Sequence, residues 1–159
     1  MHKIRHLLLA SASFFALTGC ASMAPISIAD TAQAMPELST LSKLLGDAGL
    51  SETLRGTGPY TMFAPSNEAF KALPAATLAS LSKDKEQLKS VLSYHVVPGK
   101  LGSADVKTGP AKSVQGASIA LARTGVYVTA DDALVTQADV AAANGVVHVV
   151  DRVLMPPKR

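Results

Sequence analysis

Few side chains in this sequence could do chemistry, and they sit far apart. Ser66, Asn67 and Glu68 arrive together, directly after a short apolar run that ends in Pro65. Such a trio could be a reaction site, and Ser66 or Ser93 acting with a histidine would make a hydrolase. His95 and His148 are the other candidates for proton transfer or metal ligation. No HxxxH or paired-carboxylate spacing surrounds either histidine, which argues against a metal site. Asp131, Asp132 and Asp139 lack the glycine and glutamate of a calcium loop, and read as loop and solvent carboxylates. Gly56-Thr57-Gly58 runs into a proline and a strand rather than a helix, so it cannot cradle a phosphate. No GxSxG and no P-loop appears, and no cofactor is implied.

The single cysteine, Cys20, follows a basic start (Lys3, Arg5) and an apolar run from Leu7 to Leu17. That run is too short to span a bilayer but suits the apolar region of a signal peptide. The sequence Leu17-Thr18-Gly19-Cys20 resembles the lipobox of bacterial lipoproteins, in which the cysteine is acylated and becomes the first residue of the mature chain. The expected organisation is a leader over 1–19, a lipidated cysteine and short tether over 20–27, and one domain over 28–157. A rival cleavage site, Ala32-Gln33-Ala34, lies far beyond the apolar run. Ala21 is not the aspartate that resembles an inner-membrane retention signal, so an outer-membrane address is expected, facing periplasm or surface.

Removing the leader changes the electrostatics. The full chain holds 15 Lys and Arg against 12 Asp and Glu. Without Lys3 and Arg5 the balance is close to neutral, which takes away the electrostatic case for nucleic-acid binding. With Cys20 acylated, a disulfide framework, a thiolate metal site and a cysteine nucleophile are all excluded. The absence of tryptophan leaves any stacking platform for sugars or bases poorly supplied.

The elements that must position these residues fall into two halves. Leu38, Leu41, Leu44 and Leu45 form a helical stripe, and Leu50 and Leu54 continue it as a short turn. Tyr60–Phe63 reads as a strand, and Ala69, Phe70 and Leu73 as a helical face stopped by Pro74. A helix over roughly 75–81 follows, and Asp84 with Gln87 three positions on opens another, carrying Leu88, Val91, Leu92 and His95 on one side. Beyond Gly99, Val114, 119–121, 126–128, 134–135 and 145–150 read as strands, with Thr124-Gly125 as a hairpin turn. Helices first and strands after argue for an α+β domain.

Three stretches then resemble one family. Gly58 to Phe70 (GPYTMFAPSNEAF) looks like the first signature box of fasciclin domains, Leu92 to Val97 (LSYHVV) like their tyrosine–histidine motif, and Asn144 to Leu154 (NGVVHVVDRVL) like their closing box. They occur in order and cover roughly 28–157. The resemblance implies a wedge of β-sheet flanked by short helices. It also implies an extracellular or surface-attached module for adhesion or protein–matrix contact, with no shared enzymatic activity. The Tyr94-His95 positions belong to a region linked with receptor contact in the family, so Tyr94, His95 and Asn67 are candidate partner-contact residues.

Each candidate also has a structural use. Pro65 ends a strand, Ser66 stands where a helix N-cap is needed, and Glu68 in the first turn suits the helix dipole. His95 ends an apolar helical face, and His148 lies in a run that is apolar on both strand faces, as in a buried central strand. The leading expectation is a non-enzymatic envelope module that holds an unidentified envelope or matrix protein. An envelope protein that binds an apolar lipid or pigment is the alternative.

Overall fold

The computed structural model of the protein describes residues 26–157. The expected leader, Cys20 and the first part of the tether lie outside the described residues.

The front half is helical because its leucine spacing leaves apolar stripes to bury. α1 (Ile28–Ala34) opens on Ser27, whose Oγ accepts the Asp30 N–H at 3.2 Å. A 3-10 turn, Pro36–Leu38, leads into α2 (Ser39–Asp47), and α3 (Ser51–Arg55) follows. Leu38, Leu41, Leu44, Leu45, Leu50 and Leu54 are all buried. α4 (Asn67–Lys71) and α5 (Ala75–Lys83) precede α6 (Lys85–Tyr94), which Asp84 caps by accepting the Glu86 and Gln87 N–H groups at 3.0 and 3.1 Å. α1 contributes the buried Ile28, Ala29 and Ala32, so a cut at Ala32-Gln33-Ala34 would run through a core helix.

Seven strands form one mixed sheet. They are β1 (Tyr60–Pro65), β2 (Val96–Pro98), β3 (Gly109–Lys112), β4 (Ser118–Thr124), β5 (Tyr127–Ala130), β6 (Ala133–Ala142) and β7 (Gly145–Val150). Their order is β2-β1-β7-β6-β5-β4-β3, with β1 and β7 parallel, Tyr60 opposite Gly145, and every other pair antiparallel. The segment after β3 swings back to β2, where the Val114 N–H donates to Val96 O at 2.7 Å. The expected wedge is thus a single sheet curled nearly into a barrel, with the helices on one side.

That curl gives two cores. Met62 and Ala64 of β1 with Val147 and Val149 of β7 face the helices, while Phe63 and Val150 face the barrel interior with Ile119, Leu121 and Val128. Every residue of β7 is buried, as its two-faced apolar run requires.

The rear half departs from the sequence reading in detail. Val114 is not in a strand; it lies exposed in the β3–β4 connection. The β4–β5 turn is Gly125–Val126, one position later than expected, and Val126 stands in water instead of a strand. Gly125 has φ 62°, which glycine adopts without Cβ strain. β3, with Pro110 in it, was not legible as a strand. β6 extends well past Leu134-Val135, through register shifts, to include Asp139. Asp139 is therefore a strand residue at a bulge, with φ 58°, and not a loop carboxylate.

Candidate functional site

α6 ends where the sheet begins, and this places Tyr94 and His95 between both cores. His95 is completely buried. Its Nδ1 lies 2.8 Å from Val91 O, and the Leu154 N–H points at its Nε2 at 2.9 Å. An amide can only donate, so Nε2 must be the acceptor and Nδ1 must carry the proton toward the carbonyl. The ring is neutral with its tautomer fixed. Burial pushes its pKa down to about 4, against a smaller opposing effect of the Val91 hydrogen bond and the Asp131 charge. The His95 carbonyl also accepts the Phe63 N–H at 2.9 Å, so one residue ties α6, β1 and the C-terminal segment together.

Tyr94 is buried, with its hydroxyl 2.8 Å from Asp131 Oδ2 and 3.0 Å from Ser118 O. Burial raises its pKa, and the hydrogen bond to and charge of Asp131 add to this. Asp131 has φ 50°, and its Oδ1 accepts the Ala120 N–H at 2.8 Å. The expectation of a merely solvated Asp131 is corrected: it sits in the β5–β6 turn, but its carboxylate closes the corner over Tyr94.

His148 is also completely buried, at the centre of β7, stacked on Phe63 with ring centroids 5.5 Å apart. The Asp139 N–H donates to Nδ1 at 3.2 Å, which leaves Nε2–H to donate to Leu101 O at 2.7 Å. This is the opposite tautomer to His95, again neutral. The Asp139 carboxylate accepts from the Ser103 N–H and Oγ–H, which lower its pKa. Ser103, Asp139 and His148 are thus neighbours without being a triad, because the aspartate presents its backbone, not its carboxylate, to the imidazole.

Ser66 caps α4, its Oγ accepting the Ala69 N–H at 3.3 Å. Asn67 faces the other way. Its Oδ1 accepts the Thr40 N–H at 3.0 Å and its Nδ2 donates to Pro36 O at 2.9 Å. α2 has no side-chain cap of its own, so Asn67 supplies one from 27 residues away. Exposed Glu68 pairs with Lys71 at 2.6 Å. Ser93 is half-buried beside Val96 and Val114.

Sequence reasoning passed over Asn144, in the β6–β7 turn. Its Oδ1 accepts the Ile28 N–H at 2.9 Å, and its Nδ2 reaches Leu54 O at 2.6 Å and Gly56 O at 2.8 Å. One amide thus fastens the start of α1 and the end of α3 to the sheet. Gly145 follows because a Cβ there would come within 1.8 Å of Tyr60 O. Turn position and amide chemistry were visible in Asn144, but its three partners are distant in sequence.

A cleft of about 640 Å³ lies open beside this corner and is lined by Tyr94, Asp131, Asp132, Arg152 and Met155 among others. A second hollow, lined by Leu50, Leu54, Tyr60, Val96 and Val114, is apolar but holds only about 20 Å³. Among the described residues no group of histidine, cysteine and carboxylate side chains converges as a metal site would require. No helix among them is long and apolar enough to cross a membrane.

The boxes that meet here, Ser66-Asn67, Tyr94-His95 and Asn144–His148, lie within residues 36–156, which match the sequence model of the Fasciclin domain. The chain belongs to the fasciclin domain family. Immunogenic protein MPB70 of Mycobacterium bovis is 39% identical over 148 residues, covering 88% of this chain and 76% of that one. The cell surface glycolipoprotein MPB83 of the same species is 40% identical, covering 86% of this chain and 64% of its own length. Protein sll1483 of Synechocystis is 42% identical over 134 residues, or 83% and 74% of the two chains. In three dimensions this fasciclin domain matches a FAS1 domain pair from the insect cell adhesion molecule fasciclin I. The TM-score is 0.68 at 18% identity, over 82% of this chain and 51% of that one, a likeness of fold.

Proposed function

We propose that this fasciclin domain is a non-enzymatic module, tethered through an acyl group on Cys20 in the outer membrane, which presents its surface to an envelope or matrix protein. The observation that carries this reading is where the reactive side chains go. His95 and His148 are each held neutral by two internal hydrogen bonds, Ser66 caps a helix, and Asn67 clamps another. None of these four lines the large open cleft. The surface character of MPB83, named a cell surface glycolipoprotein, and of fasciclin I, named a cell adhesion molecule, supports the same direction.

His95 and Asn67 serve a partner indirectly in this reading, by holding the surface in shape, whereas Tyr94, though buried, forms part of the wall of the open cleft. The apolar-ligand alternative would have to use the open cleft of about 360 Å³ beside Val91, Met155 and Pro157, because the hollow by Leu50 and Val96, about 20 Å³, is smaller than a pigment or acyl chain requires. The test is photo-crosslinking of the full chain in intact envelopes, with the mass of the Cys20 peptide measured on the same material. An acyl mass and a discrete crosslinked protein are expected. An unmodified, soluble chain would remove the tether, and a substrate turned over by the purified chain would remove the non-enzymatic reading.

A further inference from the structure

Val126 and Tyr127 are 86% and 63% exposed, the two most exposed of the large apolar side chains among the described residues. They sit at the β4–β5 hairpin tip, where polar turn residues are the rule. The tip is braced: the Arg123 guanidinium folds back to donate from Nε to Gly125 O at 3.2 Å and from Nη1 to Ala104 O at 2.7 Å. A water-exposed valine and tyrosine are therefore held out on a rigid support.

The place of this tip in the fold is informative. β6 starts at Ala133, beside the end of β5, and ends at Ala142, where the Ala143 N–H donates to Ile26 O at 2.8 Å. The β4–β5 turn points along β6 toward that same end of the barrel, where the chain enters the described fold. The 99–108 loop spans the two, meeting His148 through Leu101, Asp139 through Ser103 and Arg123 through Ala104. Ile26, 39% exposed, belongs to this end as well.

Exposed Lys100, Lys107 and Arg123 belong to the tether end, against Asp105 and an Asp139 carboxylate already held by Ser103, while Asp30 and Glu52 at the same end are paired with Arg55. The far end carries Asp131, Asp132 and Asp151 against Lys112 and Arg152. An aliphatic side chain, an amphipathic tyrosine and flanking cations are the combination that settles in a bilayer interface.

We propose that the tether end of the barrel lies against an anionic lipid surface, with Val126 and Tyr127 seated in the interfacial layer and Lys100, Lys107 and Arg123 among the headgroups. The far end, with the large cleft and the Tyr94–Asp131 corner, then faces away from the membrane and is left open to a partner. This rests on the Cys20 tether proposed above and adds an orientation to it.

Acylation blocks the only native thiol, so a cysteine introduced as Val126→Cys takes an NBD label alone. The full acylated chain is placed in vesicles of phosphatidylethanolamine and phosphatidylglycerol, beside an Asp132→Cys chain labelled at the far end. The label at 126 is expected to shift its emission to the blue and to be quenched by nitroxide lipids, and the label at 132 to stay water-like. Adding Tyr127→Ser should lessen the shift at 126. Chains that float with the vesicles while both labels remain equally water-like would overturn the proposal and leave the tether standing. Chains that do not float at all would take both readings down.

Discussion

The Leu154 backbone N–H donates to His95 Nε2 at 2.9 Å, across 59 positions of sequence and with both residues buried. The C-terminal segment is therefore fastened to the end of α6 by a ring that must be neutral to accept. His95→Ala should leave the Leu154 N–H and Val91 O under-satisfied and cost about 3 kcal/mol in urea unfolding.

Burial of the same ring sets a pH dependence. With a folded pKa of about 4 against 6.5 for the free side chain, the unfolded chain binds the proton first as pH falls. The stabilisation is complete above about pH 6.5 and is lost progressively down to about pH 4, about 3 kcal/mol in all. Unfolding free energies across this window should slope upward with pH in the parent and less steeply in His95→Gln; parallel slopes would contradict the assignment.

Tyr94 should behave in the opposite sense. The fold keeps its hydroxyl protonated beyond the ordinary value of 10.0, so stability falls as pH rises above that value. Tyr94→Phe removes the bond to Asp131 at a cost of about 1 kcal/mol near neutrality and should lack that share of the alkaline decline. Denaturant midpoints at neutral and alkaline pH measure both.

Two amides should rank in a definite order. Asn67→Ala loses the borrowed cap on α2 and should cost about 1–2 kcal/mol. Asn144→Ala loses one acceptor and two donor contacts that join α1 and α3 to the sheet, and should cost about 3 kcal/mol. Urea midpoints that reversed this order would contradict the clamp assigned to Asn144.

Gly145→Ala is expected to be the most damaging single change, beyond about 4 kcal/mol, because its Cβ would meet a backbone oxygen in the central parallel pair. A soluble yield and circular dichroism spectrum equal to the parent's would show that β1 and β7 can part there.

What was legible in the sequence follows from how local each signal is. Ser66, Asp84 and the leucine stripe act within one or two helical turns, and all three are where spacing and capping rules put them. His148 was legible as a buried strand residue because a run apolar on both faces has few other uses. The rear half was harder. β6 carries Thr136, Gln137, Ala138 and Asp139 through a bulge, where period two is broken and the residues are exposed. β3 has no β-branched residue and tolerates Pro110 at the sheet's edge. Asp131, Asp139 and Asn144 find their partners only once distant strands and helices meet.

The central claim is that His95 maintains a surface and does not itself grip a partner. The most direct measurement takes one preparation of the full His95→Gln chain and reads its folded fraction and its crosslinking yield to envelope protein at the same temperature. Yield that follows the folded fraction is the predicted result. A chain that is fully folded and yet captures nothing would contradict it.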